Sequence, residues 1–313
     1  MRIYDLIIIG AGPAGITASV YAARKKLDFL VITMDIGGQT AVSGNIENYT
    51  GYQFITGIEL TNKFQEHMRK YNILVKEEEQ ALGLSKSGEI ILLKTNKAQY
   101  QARAVIVSSG KKSKELGIPG EKEYKNRGVT YCATCDGPLF QGKNVAIIGG
   151  GNSATDAAIQ MVKIAKHVYL INNTQELKAD PVMVQKLQES ANITILNSHE
   201  IKAVLGDKFV KAIIVKGPEG QKELAVEGVF VEIGLIPNSD FLKDVEKNEY
   251  NEVKIDAYNR TNIPGVFAAG DVTDVLEKQI IIAAGEGSKA ALSAFSYLIH
   301  GDFNKGGNNE RQN

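Results

Sequence analysis

The first apolar run in the chain, Leu6-Ile7-Ile8-Ile9, is unbroken, as expected of a strand over 3–9 buried on both faces of a parallel sheet. A glycine-rich turn follows at once, Gly10-Ala11-Gly12-Pro13-Ala14-Gly15, then a helical stretch of small residues over 16–24 and an apolar strand over 29–33. That is a βαβ unit in about 30 residues. The layout recurs with a strand over 144–148, the turn Gly149-Gly150-Gly151-Asn152-Ser153-Ala154, a helix over 155–164 and a strand over 167–172. Between the two units the pattern predicts a helix over 59–71 and strands over 73–76, 89–95 and 102–109. After the second it predicts a helix over 181–190 and strands over 193–197, 203–204, 210–216 and 228–233. Residues 266–269 read as a buried strand running into Gly270-Asp271, 279–299 as a long apolar helix, and 301–313 as a polar, frayed tail.

The fold class is therefore α/β, with two Rossmann-like nucleotide-binding domains. Turn-rich stretches at Ile118-Pro119-Gly120-Glu121 and Ile236-Pro237-Asn238 are candidate linkers. They suggest one domain inserted in another: 1–114 and 242–313 form the outer domain, which needs Gly270-Asp271 and the last helix to complete it, and 115–241 forms the inserted one. Two linkers crossing at one place predict a hinge.

Composition narrows the class. The 313 residues are 43% hydrophobic and carry a formal net charge of +0, without the basic excess of a nucleic-acid or membrane-surface protein. The first apolar stretch is too short, and too soon followed by glycines, for a signal peptide or a membrane span. With only two cysteines, the expectation is a cytoplasmic protein whose disulfide, if formed, is catalytic.

Those two cysteines stand in Cys132-Ala133-Thr134-Cys135-Asp136. Such a pair can close a small disulfide with a tuned thiolate. Its other readings are half a zinc site or two buried thiols. Zinc needs two further ligands; no other cysteine exists, and His67, His167, His199 and His300 are scattered singly, so no metal is expected. A dithiol set between two dinucleotide loops suggests an electron relay from nicotinamide through flavin to disulfide.

In each loop the first glycine makes the tight turn, the second lets a pyrophosphate approach the backbone, and the third lets helix and strand pack. The helix N-terminus faces the phosphates. Asp35, 20 residues past Gly15, lies near where an acid reaches a ribose hydroxyl, although past the predicted strand end, where it could equally be a solvated loop acid. The second loop ends in Ala154, an accepted variant; its alternative reading is an empty relic.

These motifs, with Gly128-Val129-Thr130-Tyr131-Cys132, Cys135-Asp136-Gly137-Pro138-Leu139-Phe140, Gly37-Gly38-Gln39, Ile46-Glu47-Asn48-Tyr49, residues 265–271 and Lys278-Gln279-Ile280-Ile281-Ile282, carry a resemblance. The chain resembles the low-molecular-weight thioredoxin reductases. It is still more similar to the reductase portion of the alkyl hydroperoxide reductase flavoprotein subunit, over nearly its whole length. The resemblance starts at the flavin strand, so it is expected to omit that subunit's N-terminal thioredoxin-like domain, and with no cysteine after Cys135 in the sequence a C-terminal redox extension is not expected.

The resemblance implies FAD on the first domain and NAD(P)H on the inserted one. Gly10, Gly12, Pro13, Ala14 and Gly15 match the pyrophosphate turn, and Gly37, Gly38, Gln39 and Asn48 match flavin-side contacts. Asp271 matches the acid of the ribityl-pyrophosphate region. Lys278, Gln279 and Ile280 match the start of the last helix, whose positive end favours reduced, anionic flavin. Gly285 and Gly287 in that helix suggest close approach of backbone or cofactor. Gly149, Gly151, Asn152, Ser153 and Ala154 match the nicotinamide-nucleotide loop. The resemblance also implies that Cys135 takes electrons from flavin and Cys132 attacks the disulfide of a thioredoxin- or glutaredoxin-like protein. Asp136 would serve as general acid and base if desolvation raises its pKa; otherwise it is a turn aspartate before Gly137-Pro138. A homodimer is implied as well.

One stretch departs from the family. NADPH-dependent members place an arginine cluster after the second strand of the inserted domain, where this chain has Asn172-Asn173-Thr174-Gln175-Glu176-Leu177-Lys178. One lysine is a poor substitute for arginines on a 2′-phosphate, whereas Asn172 could hydrogen-bond a ribose hydroxyl. NADH is thus expected over NADPH. The competing functions are a flavin-dependent dithiol oxidase, a ferredoxin-fed reductase and a non-catalytic flavoprotein sensor.

Overall fold

The computed structural model describes residues 2–301 apart from 42, 44 and 47. The expected polar tail and Glu47 of the Ile46–Tyr49 segment lie outside the described residues, as do the side chains of Thr134 and Cys135. The chain divides into two compact units, 1–112 with 236–313, and 113–235.

The first unit is built on the apolar strand Ile3–Ala11, flanked in parallel by Phe29–Ile36 and Gln99–Val107. Val75–Lys76 extends the sheet on one side. The antiparallel pair Ile90–Thr95 and Ala81–Ser87 extends it on the other. Val266–Ala268 returns from far along the chain to pair in parallel with Gln99–Val107, Val266 opposite Val105. Leu6, Ile7 and Ile8 are fully buried, because each face of the strand meets its own apolar layer. Helices Pro13–Arg24 and Ile280–His300 cover one face. A Cβ on Gly287 would run into the Ala14 carbonyl oxygen, so the two backbones meet there. Gly285 has nothing within 4 Å of a Cβ, so no backbone approaches it closely, in contrast to Gly287.

The other face is covered in part by Phe241, Leu242 and Val245, which pack with Ile7, Leu30 and Val105. Leu242 is fully buried there. That packing assigns 236–241 to the first unit, so the second crossing stands at 235–236 and not at the expected 241–242.

The second unit carries a five-stranded parallel sheet in the order Val129–Thr130, Gly228–Val231, Asn144–Ile148, His167–Ile171, Ile193–Leu196. An antiparallel three-stranded sheet, Glu200–Gly206, Val210–Gly217 and Gly220–Ala225, packs its apolar side on the parallel sheet. Helix Asn152–Met161 covers the opposite face through Ala154, Ala157, Ala158 and Met161. Among the described residues no helix is long and apolar enough to cross a membrane.

Candidate functional site

At the carboxyl ends of the first unit's parallel strands lies a cavity of about 810 Å³. That size is toward the upper end of ligand pockets, and the strand ends are where open α/β sheets bind ligands. Its floor is the first glycine loop. Gly10 has φ +99°, a conformation that disfavours a side chain, and a Cβ there would run into the Ser108 carbonyl oxygen. Gly12 faces open space: the nearest atom to a Cβ would be the Gly37 carbonyl oxygen at 4.0 Å. A Cβ on Gly15 would run into the Gly10 carbonyl oxygen. Tight turn, open approach and close helix packing thus fall to three successive glycines.

Pro13 and Ala14 line the cavity at the start of helix Pro13–Arg24, whose N-cap, Gly12, supplies no side-chain hydrogen bond. Asp35, Gly38, Gln39 and Asn48 line a second side, and Asp271, Lys278, Gln279 and Ile280 a third. Gly15 and Gly37 stand behind the wall; Gly37 N–H donates to the Ala11 carbonyl oxygen at 2.7 Å. Asp35 is the penultimate residue of strand Phe29–Ile36, not a loop residue beyond it. The strand runs on because the Thr33 hydroxyl accepts the Ala11 N–H at 3.1 Å and donates to the Asp35 carbonyl oxygen, stitching the two strand ends together.

The last helix is also left uncapped by its N-cap, Gln279, whose side-chain oxygen instead accepts from Asn48 Nδ2 at 3.0 Å. Two other helices are capped: Gly57–Lys70 has a reciprocal Thr56–Glu59 box, and Asp180 caps Pro181–Gln188 at 2.9 Å. Two helix starts at the cavity therefore keep free N–H donors for a ligand.

Sequence reasoning missed several cavity residues. Ser108 follows the buried strand Gln99–Val107, with its hydroxyl donating to the Ile9 carbonyl oxygen at 2.9 Å; a Ser-Ser-Gly stretch after an apolar strand is a signal that could have found it. Glu79 is buried and accepts from the Thr95 hydroxyl at 2.6 Å, but nothing distinguishes it in sequence from the acids beside it. Lys111 was equally unmarked. Burial raises the Asp271 carboxyl, opposed by Lys278 and Lys111.

The second unit repeats the loop. Gly149 has φ +142°, and a Cβ would run into the Glu232 carbonyl oxygen; Gly151 faces open space, with only the Lys178 carbonyl oxygen at 4.0 Å. Gly151 is the N-cap of helix Asn152–Met161, again without a side-chain hydrogen bond. Ala154 is fully buried under the helix. Asn152 Oδ1 accepts the Asp180 N–H at 2.8 Å and ties the loop to its neighbour. Ser153 is exposed on the first turn of the helix.

Asn172 does not point at a ligand. It is 1% exposed, and its Nδ2 donates to the carbonyl oxygens of Thr174 and Glu176 and to Asn197 Oδ1, while its Oδ1 accepts from Thr174 N–H and Oγ1. The amide is spent holding the 172–176 turn, which removes the expected ribose contact by Asn172. A Cβ on Gly150 would run into that amide oxygen.

Cys132 follows strand Val129–Thr130 and is disulfide-bonded. Its N–H donates to Thr130 Oγ1 at 3.2 Å, and the same hydroxyl donates to Asp136 Oδ2. Asp136 N–H donates to the Cys132 carbonyl oxygen at 3.2 Å, closing the one-turn helix Ala133–Asp136. Ala133 packs in one cluster with Ala154 and Ala157, so this turn sits against the helix that begins at the second glycine loop. Tyr131 OH donates at 2.8 Å to Glu121, a carboxylate 1% exposed that also accepts the N–H groups of Leu116 and Gly117, each at 2.7 Å. Burial and that bond push the Tyr131 phenol upward.

Residues 4–287 match the model of the family described as pyridine nucleotide-disulphide oxidoreductase. The chain belongs to that family. It is 41% identical over 299 residues to the NADH dehydrogenase of Bacillus subtilis (strain 168), covering 95% of this chain and 59% of the relative. It is 42% identical over 303 residues to an alkyl hydroperoxide reductase subunit of Xanthomonas campestris pv. phaseoli, covering 95% and 57%. The chain thus spans about three fifths of the length of the curated relatives it matches. Among solved structures, the thioredoxin reductase of T. acidophilum superposes with a TM-score of 0.84 at 38% identity, covering 96% of this chain and all of that one. The thioredoxin reductase of Lactococcus lactis gives 0.86 at 32%, covering 95% and 99%. The two-domain α/β fold is that of the thioredoxin reductases, and the family works with FAD and a pyridine nucleotide.

Proposed function

We propose that the protein is a flavoprotein disulfide reductase that passes electrons from NADH, through FAD, to the Cys132–Cys135 pair and on to a thioredoxin- or glutaredoxin-like protein. The observation that carries this is the packing of Ala133 against Ala154 and Ala157, which sets the cysteine turn beside a dinucleotide-type loop at one end of one sheet. The net reaction is NADH + H⁺ + protein disulfide → NAD⁺ + protein dithiol.

The first unit's cavity fits FAD: an open Gly12, uncapped helix starts at Gly12 and Gln279, and the half-buried Asp271 carboxyl suit a phosphorylated, hydroxyl-bearing dinucleotide. When bound, FAD accepts two electrons from the nicotinamide and delivers them to a disulfide. Gly10, Gly12, Pro13 and Ala14 hold its pyrophosphate, Asp35 a ribose, and Gln39, Asn48, Asp271, Lys278, Gln279 and Ile280 the remainder. Gly149, Gly151, Asn152, Ser153 and Ala154 hold the pyrophosphate of NADH. The adenosine end falls to the 173–178 turn, whose one cation is Lys178. A 2′-phosphate there has no arginine to fork it.

At the cysteines, Cys132 is the thiolate that attacks the partner disulfide, and Cys135 closes the pair again. Asp136, steadied by the Thr130 hydroxyl, gives and takes the proton that each thiolate step requires. We place the protein in the cytoplasm as a homodimer, in keeping with the family it resembles.

Anaerobic titration of the purified yellow protein with NADH, then NADPH, tests the reading. NADH should bleach the flavin, with kcat/KM at least tenfold above NADPH, about 1.4 kcal/mol in transition-state binding. A tenfold preference for NADPH overturns the reading of the 172–178 turn. Reduction by neither nucleotide moves the protein to a ferredoxin-fed reductase or a dithiol oxidase.

A further inference from the structure

Glu252 stands behind the cavity wall of the first unit, and the relay above gives it no part. Its Oε1 accepts from Lys111 Nζ at 3.0 Å and from Lys278 Nζ at 3.1 Å. Its Oε2 accepts from Asn248 Nδ2 at 2.7 Å, and its N–H donates to Asn248 Oδ1 at 3.0 Å. The carboxylate is thus fixed on every side. The side chains of Glu252 and Lys111 are each 13% exposed and that of Lys278 is 23% exposed, so the triad is shielded from solvent screening. Burial alone would raise the Glu252 carboxyl, but the bonds from Asn248, Lys111 and Lys278 bring it down to about 2. It is an anion throughout the neutral range.

Both lysines line the cavity, and Lys278 also donates to the Thr273 carbonyl oxygen. Lys278 immediately precedes the uncapped start of helix Ile280–His300, which is itself a positive pole. Two ammonium groups and a helix N-terminus bring positive charge to this wall, which Glu252 and Asp271 oppose; Asp35, Glu79, Asp240 and Lys112 also line the cavity and are common to every variant below. Two-electron reduction of a flavin with uptake of one proton adds one negative charge, so the potential of this wall weighs directly on how readily a bound flavin is reduced.

We infer that Glu252 is a positioning residue for the flavin pocket: it holds the Lys111 and Lys278 ammonium groups in the wall, offsets part of their charge, and so lowers the reduction potential of the bound flavin. This rests on the reading of the cavity as the FAD site.

The test is the flavin midpoint potential of the holoprotein, measured by equilibration with a reference dye after FAD occupancy has been determined. Glu252→Gln keeps the shape and removes the charge. It should shift the equilibrium about tenfold toward reduced flavin, about 30 mV for a two-electron couple. Glu252→Asp, which keeps the charge, should stay within threefold of the parent. Lys111→Gln should shift the equilibrium the other way, and Glu252→Gln with Lys111→Gln should return it to within threefold of the parent. A purely structural role would alter FAD affinity or thermal stability without this pattern of signs. Full FAD occupancy with an unmoved potential in Glu252→Gln overturns the inference. Should that variant fail to fold, Lys111→Gln and the double variant decide by the same signs. A parent protein that folds but takes up no FAD overturns the reading of the cavity instead.

Discussion

The Glu232 carboxyl accepts the backbone N–H of Ala133. Glu232 follows strand Gly228–Val231, and its N–H donates to the Ile148 carbonyl oxygen at 2.8 Å, so the bond fastens the cysteine turn to the centre of the second unit's sheet. Burial raises this carboxyl to about 7, Asp156 adds to the rise, and the Ala133 bond opposes it. A carboxyl raised from 4.5 binds its proton more tightly in the folded than in the unfolded chain. Its contribution to stability is therefore most favourable below the unfolded value and declines as pH rises through 7. Glu232→Gln should remove that decline. Relative to the parent, the variant should gain about 2–3 kcal/mol between pH 4 and pH 8, read from denaturant unfolding at each pH. A difference that does not change with pH would refute the assignment.

Thr130 joins Cys132 to Asp136 through one hydroxyl, accepting from the first and donating to the second. Thr130→Val leaves the Cys132 N–H and the carboxylate without that partner. Transfer to a protein disulfide should slow by about 10- to 100-fold, within the range of general acid–base effects, while reduction of flavin by NADH stays unchanged. Thr130→Ser should restore most of the rate. Equal slowing of both half-reactions would show that the hydroxyl only supports the fold.

Cys132→Ser should abolish transfer to a protein disulfide and spare flavin reduction by NADH. If Cys135 is the thiol that takes electrons from the flavin, its remaining thiolate should give a long-wavelength charge-transfer band with oxidised flavin that the Cys135→Ser protein lacks. Identical spectra in the two variants would remove the proposed division of labour.

Two glycines separated by a single residue in the last helix should respond in opposite directions. Gly287→Ala drives a methyl into the Ala14 carbonyl oxygen and should destabilise by about 1–3 kcal/mol. Gly285→Ala meets open space and should stabilise by about 0.5–1 kcal/mol through helix propensity. Thermal unfolding of the holoprotein measures both; a common sign would contradict the helix contact at Ala14.

What could be read from the sequence was local. Leu6–Ile9 with Gly10, Gly12 and Gly15 specifies strand, turn and helix within one window, so both glycine turns and the strands and helices around them were legible. Strand Ala81–Ser87 was not, because Ala-Leu-Gly-Leu-Ser-Lys-Ser buries only Leu84 and shows no clean alternation. Strand Gly220–Ala225, a sheet edge with Lys222 and Glu223, shows none either. The missed part of the site is non-local. Glu252 meets Lys111 across 141 residues, and no spacing rule connects them. Asn172 was visible as a polar strand end, but the direction of its amide is set partly by Asn197, 25 residues on.

The return of Val266–Ala268 to the first sheet has a consequence for the order of events on the ribosome. Gly10 and Gly12 emerge well before Asp271, Lys278 and the helix Ile280–His300 that complete the same cavity. At about 5–20 residues per second, residue 112 waits roughly 10–40 s for residue 300. The inserted unit, contiguous over 113–235 and closed at its ends by the Lys114 N–H to Gly234 carbonyl bond of 2.9 Å, can finish folding in that interval. The nascent chain can therefore complete its inserted unit first, and the cavity of the outer unit is complete only after residues 271–300 have emerged.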